Sequence, residues 1–331
     1  MLKNGFIDWL TASQFHPKGG LPIVSGGLTV HYDAEGNPRF ERNCARSHLG
    51  SYETSLRIAS DGYRVSISGN IGRFQRPDNL FGFGVGRTFE LANRILDSYG
   101  LPPFIATRSL PEGIDQVRPC HISRLDFTVN YEAGSDSKAE AAIRFLASRP
   151  VHRVKKGVAG SDSFWFANTR KMFKAYIKSR ELIAHGLDES NPVVEYCKQK
   201  GILRFELELK KRLLSELNMN TLDDLTDEKL HDVFMQQTEF ARQVEMCDDI
   251  DLIEALPKST RMYYQLWMDG NDVSAMCSRA QMYRHAKYLR GLGINIFEKR
   301  NIEKFPVGVR IVDLKPAQVP DWYIALHREA V

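Results

Sequence analysis

Three short stretches of the chain set polar side chains at every second residue. They are Arg124, Asp126 and Thr128 within 122–130, Lys174, Tyr176, Lys178 and Arg180 within 171–182, and Arg204, Glu206, Glu208 and Lys210 within 203–210. These residue types suit chemistry on a phosphodiester. The carboxylates of Asp126, Glu206 and Glu208 offer hard oxygen ligands, and without sulfur or clustered imidazole beside them they favour Mg²⁺ or Mn²⁺. Arg124, Lys174, Arg180 and Arg204 would hold phosphate oxygens and offset charge developing on them. Tyr176 is a weak nucleophile, since a phenol ionises near pH ~10. A metal-bound phosphate in front of it and Lys178 beside it would make the phenolate accessible. Attack on DNA would leave a phosphotyrosine and a free hydroxyl, conserving the bond for rejoining. Each residue also has a plainer reading: Asp126 paired with Arg124 or Arg204, Glu206 and Glu208 solvated, Tyr176 packed.

The elements that must position these residues follow from the period of two. Leu125, Phe127 and Val129, then Phe173, Ala175 and Ile177, then Leu203, Phe205, Leu207 and Leu209 form the opposite, apolar faces. If the three stretches are strands of one antiparallel sheet, core packing turns the apolar faces to one side and the polar residues converge on the other. Residues 171–179 are read as one continuous strand. Further strands are expected at 26–32, 51–60 with 63–68 around an Asp61-Gly62 turn, 151–157 and 163–168. Residues 6–10 read as a short apolar start. The glycines of Asn79–Arg87 fit neither G-x-G-x-x-G nor a P-loop, so they read as a tight connection into a helix at 88–98. Ser137 and Glu140 make a capping box for a helix to Ser148, and helices follow at 191–200 and from Leu213 to about Glu245. The expected class is α+β: an antiparallel sheet with helices packed on one face in residues 1–215, then a mostly helical part, 216–331. In that part Val273–Met276 and Arg279–Leu289 have the layout of a helix-turn-helix, whose second helix would present Arg279, Arg284 and Lys287 to DNA.

Composition adds limits. The net charge of +4 identifies no partner by itself, but nine Lys or Arg between 149 and 180 face a single acid, Asp162. Residues 216–254 are acidic, so an anion-binding face and a separate solvated region are expected. The five cysteines are scattered and form no C-x-x-C, which favours a reducing cytoplasm over a disulfide framework or a zinc site. No signal peptide opens the chain, and no apolar run is long enough for a bilayer.

The residues also carry a family likeness. Ser68-Gly-Asn70 followed by Asn79-Leu-Phe-Gly82, Ile122-Ser-Arg-Leu-Asp126, Ala175-Tyr-Ile-Lys178 with Glu181-Leu182, Leu203-Arg-Phe-Glu206 and Pro320-Asp-Trp-Tyr323 occur in that order. Together they resemble the gene II replication initiators of filamentous phages. That resemblance implies site- and strand-specific nicking of double-stranded phage DNA at an origin, rolling-circle synthesis from the 3′ hydroxyl, and cutting and rejoining of the displaced strand. It implies Tyr176 as nucleophile, Asp126 and Glu206 as metal ligands and Lys178 as the phosphate-side cation. Double- and single-stranded DNA would be the ligands, and host helicase and polymerase the partners, in the bacterial cytoplasm. Glu208 is not required by the family pattern, and Glu181 lies just beyond the strand. The His-hydrophobic-His metal motif of many rolling-circle initiators is missing, since none of the nine histidines stand two apart; carboxylate ligation fits that departure. The competing expectation is a non-catalytic, sequence-specific DNA-binding regulator built on the Arg279–Arg290 helix and the basic block.

Overall fold

The computed structural model describes residues 5–52, 54–107, 117–148, 155–159, 162–242, 256–290, 295–297 and 314–326. Its strands are β1 (Phe6–Phe15), β2 (Ile23–Val24), β3 (Gly27–Tyr32), β4 (Pro38–Cys44), β5 (Arg46–Leu49), β6 (Ser55–Asp61), β7 (Arg64–Gly69), β8 (His121–Glu132), β9 (Lys155–Ala159), β10 (Ser163–Ala167), β11 (Lys171–Ile177), β12 (Ile202–Lys210) and β13 (Lys315–Pro316). All but β3 and β4, which pair as a separate hairpin, join one eleven-stranded sheet in the order β2-β6-β7-β1-β8-β12-β11-β10-β9. There β5 adds to β6 and β13 to β8. The pairings are antiparallel, and the three stretches with polar alternation are adjacent strands, β8-β12-β11.

Ten helices are described. They are α1 (Val85–Asp97), α2 (Asp136–Ser148), α3 (Lys178–Ala184), α4 (Pro192–Lys200), α5 (Lys211–Glu216), α6 (Asp227–Gln237), α7 (Glu239–Arg242), α8 (Lys258–Met268), α9 (Arg279–Arg290) and α10 (Asp321–Leu326). Phe89 of α1, Ile143 of α2, Leu214 of α5, Phe234 of α6 and Ala241 of α7 share one core with Leu125, Phe127, Phe173 and Phe205 of the sheet. Burying such side chains contributes about 1.5–3 kcal/mol each and locks the register, because a one-residue slip would expose every one of them. The α+β class and the helices on one face are as expected. The core that holds the sheet, however, runs through α7, past the division expected at 215.

Other expectations shift. The apolar start at 6–10 is half of a ten-residue strand in the middle of the sheet, between β7 and β8. Its second half, Thr11-Ala-Ser-Gln-Phe15, hides this role because Thr11 and Ser13 take the polar face and a buried Gln14, bonded to the carbonyls of Ile105 and Arg118, takes a core position. The strand at 171–179 ends at Ile177, and α3 begins at Lys178. Helix α4 starts and stops as expected: Asn191 accepts a hydrogen bond from Val193 N, and Gly201 closes it at φ 58° against the Ser135 backbone, where a Cβ would collide. Of the strand expected at 151–157, residues 151–154 lie outside the described residues, as do the glycines at 291 and 293. The helix expected at Val273–Met276 is a single 3₁₀ turn capped by Asp272, so a helix pair, α8 and α9, stands where a helix-turn-helix was expected. Among the described residues no helix is long and apolar enough to cross a membrane.

A second cluster closes one end of the sheet. Leu80 and Phe81 pack with α3, α4, Ala317 and Tyr323. The buried Tyr323 hydroxyl donates to Asp78 Oδ1 at 2.6 Å and accepts from Arg76 Nη2 at 2.8 Å and Phe81 N at 3.2 Å. Replacing Tyr323 by Phe strands buried polar partners. It is expected to lower the unfolding free energy by about 1–3 kcal/mol in a denaturant titration; an unchanged midpoint would show that the Tyr323 hydroxyl network adds nothing to the fold.

Candidate active site

Register brings the polar residues of three strands into rows. Asp126 lies opposite Glu208, Thr128 opposite Glu206, and Asn130 opposite Arg204; across β12, Glu206 faces Lys174 and Arg204 faces Tyr176. The expected convergence of Arg124, Asp126, Glu206, Glu208, Lys174 and Tyr176 on one face is therefore present.

Tyr176 donates its phenol proton to Glu206 Oε1. Burial first, and then the Glu206 carboxylate, hold the phenol well above its ordinary range, while Arg204 works in the opposite direction. Glu206 is itself raised, by burial and then by Asp8. A carboxylate made more basic and hydrogen-bonded to a phenol is placed to accept its proton. Lys174 Nζ stands 3.6 Å from the other Glu206 oxygen.

Asp126 is almost wholly buried, and both of its oxygens are engaged by Arg124, through Nε at 2.9 Å and Nη2 at 2.6 Å. Burial nonetheless pushes its carboxyl up to about 6, opposed by Arg124 and aided by Glu208 and Asp8. Arg124 also reaches Glu208 at 3.3 Å.

Asp8 belongs to this group and was not anticipated. It sits at a register shift in β1 between Ile7 and Trp9, where Trp9 pairs with Asp126. A bulge re-aims a side chain that regular alternation would send elsewhere. Asp8 Oδ1 accepts from Asn70 Nδ2 and from Asn79 Nδ2, both at 2.9 Å. Asn79 in turn accepts from Lys178 Nζ at 2.7 Å, so one amide links Asp8 to the lysine. Asn70 and Asn79 lie in the first of the family-like segments, which was the available signal; a lone Asp in a short apolar start gave none.

Two expected surface cations are buried supports. Lys178, at the first turn of α3, is fully buried between Asn79 and Glu181 Oε2, 2.5 Å away, with its Nζ 6.0 Å from the Tyr176 ring. Burial and then Arg204 lower its pKa, opposed by Glu181. Arg204 is also fully buried. It donates to Asn130 Oδ1 at 3.0 Å and to the carbonyls of Asn79 and Leu80 at 2.6 and 2.7 Å, fastening the loop over the sheet. An exposed DNA contact by Arg204 is thus corrected, because the loop covers it. Arg180 is corrected too: once the strand turns into α3 at Lys178, alternation ceases, and Arg180 pairs with Glu140 of α2 and with Asp162. Arg279, Arg284 and Lys287 lie on the exposed side of α9, whose Met282, His285, Ala286 and Leu289 are buried.

The donor types, though not their present spacing, suit a hard divalent cation. Asp8, Asp126 and Glu206 crowd negative charge, and the buried Thr128 Oγ1 between them has no hydrogen-bond partner within the chain. Among the described residues, though, no three Asp, Glu, His or Cys side chains are gathered closely enough to grip an ion. The Arg124 fork on Asp126 is one reason.

The chain matches the family described as the N-terminal part of the gene II replication-associated proteins over residues 6–228, and the family described as their C-terminal part over 248–327. The chain belongs to the gene II replication-associated protein family. A replication-associated protein of this kind from Enterobacteria phage I2-2 is 25% identical, across 96% of this chain and 96% of the relative. One from Escherichia phage If1 is 27% identical, across 81% of this chain and 96% of the relative. In this family member the N-terminal match ends within the helices that complete the core of the sheet.

Asp126 binds its proton more tightly folded than unfolded. Its contribution therefore makes the fold less stable as pH rises from the ordinary carboxylate range through about 6. Asp8→Asn keeps an oxygen for Asn70 and Asn79 and removes the charge. It is expected to lower the titration midpoints of Asp126 and Glu206 in carbon-detected NMR and to reduce the loss of melting temperature over that interval. Unmoved midpoints would remove Asp8 from the cluster.

Proposed function

We propose that the chain initiates rolling-circle replication by nicking one strand of phage origin DNA and rejoining it, with Tyr176 as nucleophile. The observation that carries this reading is the half-buried Tyr176 phenol hydrogen-bonded to Glu206 on the polar sheet face, flanked by cations and carboxylates. Membership of the gene II family supports it independently.

Tyr176 Oη forms a bond to phosphorus as the bond from phosphorus to the 3′ oxygen breaks. The phenol proton passes to Glu206, and the departing oxygen takes up a proton to become the 3′ hydroxyl. The 5′ phosphate stays on the tyrosine until another 3′ hydroxyl attacks and restores the diester. Arg204 and Lys178, buried close to the phenol, favour its anionic form and lower the cost of the charge that builds up. Lys174 and Arg124, partly exposed, meet the phosphate oxygens. A divalent cation, Mg²⁺ or Mn²⁺, would be held by Asp126, Asp8 and Glu206 once Arg124 releases Asp126 and the three carboxylates draw together, and would supply Lewis-acid polarisation; Glu208 serves Arg124. The released 3′ hydroxyl requires a polymerase and a helicase, which places the reaction in the host cytoplasm. Helix α9, with Arg279, Arg284 and Lys287 exposed, serves duplex binding.

Wild type is expected to nick supercoiled origin plasmid in the presence of Mg²⁺, and Tyr176→Phe to bind the DNA without nicking it. Lys178→Met should slow cleavage by roughly 10²–10³-fold, the effect of removing one preorganised charge-stabilising donor. Nicking by Tyr176→Phe at the wild-type rate would end the nucleophile assignment. Replacing Arg284 and Lys287 by Ala is expected to weaken duplex origin binding, with cleavage of a short single-stranded substrate retained. Equal losses in both assays would contradict the division of labour.

A further inference from the structure

The polar sheet face carries two half-buried indoles, one on each side of Tyr176. Trp165 lies on β10, directly across from Lys174 and diagonal to Tyr176, which pairs with Ser163. A diagonal cross-strand pair is separated by about 7 Å, within reach of an aromatic side chain. On the far side of Trp165, β9 supplies Gly157 as its partner. A Cβ built there would stand 2.5–2.6 Å from three contiguous atoms of the indole, Cε2, Cζ2 and Nε1. Near-equal distances to three ring atoms mean that the indole lies flat over the glycine, one π-face down on the sheet. Its half-buried exposure fits one covered face and one open face, and no aromatic or cationic group stacks on it among the described residues. Lys155, two residues from Gly157 and exposed, and Lys174 flank the ring on the same side of the sheet.

Trp9 stands on the other side, paired with Asp126 and stacked by the Arg124 guanidinium at 4.8 Å. Between β1 and β11 lie three strand spacings, about 14 Å. Flat aromatic faces beside cations suit a single strand of DNA, whose bases stack on the rings while its phosphates meet the lysines. A duplex hides its base faces and cannot use them.

We propose that Trp165 is a stacking platform for a nucleobase beside the cleaved phosphate, and that the Trp9–Arg124 pair serves a base on the opposite side, so that the strand crosses the sheet with its phosphate at Tyr176. This rests on the reading of Tyr176 as nucleophile and adds to it the form of the substrate: unpaired at the nick.

The test uses the full chain carrying Tyr176→Phe, so that cleavage does not intervene, and a labelled single-stranded oligonucleotide of about 16 nucleotides. Trp165→Leu is expected to weaken binding about 5- to 150-fold, the span observed for losing one stacked base. Trp165→Phe should restore most of it, and the slope of affinity against salt should stay that of the parent. Lys174→Ala should reduce that slope instead. A Trp165→Leu protein that melts like the parent and binds equally well overturns the proposal, as does an equal loss for the duplex. If the leucine variant does not fold, the parent itself decides. Irradiation with an oligonucleotide containing 5-iodouracil should give an adduct on Trp165 or Trp9 by peptide mass, and adducts only elsewhere overturn the proposal. Wild-type nicking with no role for Trp165 would sink the platform alone. Nicking by Tyr176→Phe would sink the nucleophile, whatever the tryptophans do.

Discussion

The site depends on the strict alternation of β8, β12 and β11. Burying Leu125, Phe127, Val129, Phe173, Ala175, Leu203, Phe205 and Leu207 against helices leaves the intervening residues one place to go. The cost of slipping any strand by one residue is the exposure of its whole apolar set, far more than the few kcal/mol needed to crowd three carboxylates. The core therefore holds Asp126, Glu206 and Tyr176 together against their mutual repulsion and desolvation, and the raised pKa values of all three are the mark of that work.

The second constraint is the loop at 70–82. It lies over the upper rows of the polar face and converts two expected surface cations into buried ones. Arg204 holds it by two carbonyls, Asn130 donates to the Leu80 carbonyl at 2.5 Å, and Tyr323 pins its far side through Asp78 and Arg76. Asn79 then hands one bond to Asp8 and takes one from Lys178. A buried cation with hydrogen-bonded partners is electrostatically stronger than a solvated one, because little water screens it. Lys178 and Arg204 therefore act on the phenol more strongly from the interior than they would from the rim.

Much of this was legible from residue order. Period two in three stretches predicted which residues would share a face if the strands lay in one sheet, because a half-buried strand has no other stable pattern; that they are direct neighbours is set by pairing over long sequence separations, which alternation does not encode. The failures have physical causes. Arg180 follows a strand-to-helix switch at Lys178, and alternation cannot announce its own end when Ile177, Lys178 and Ser179 suit either state. Asp8 is displaced by a bulge, which adds a residue without a compositional signal. Strand β1 is read as a fragment because its second half sets Thr11 and Ser13 on the polar face and a polar Gln14 in the core. The helix-turn-helix expectation followed cap residues; Asp272 does cap, but a single 3₁₀ turn.

The central claim is that the phenol of Tyr176 becomes covalently joined to DNA. Wild-type protein incubated with Mg²⁺ and a single-stranded origin oligonucleotide, then denatured and digested, should yield the peptide containing Tyr176 bearing a 5′-linked nucleotide by mass spectrometry. Cleavage that proceeds with no protein–DNA adduct, or with an adduct on another residue, would contradict it.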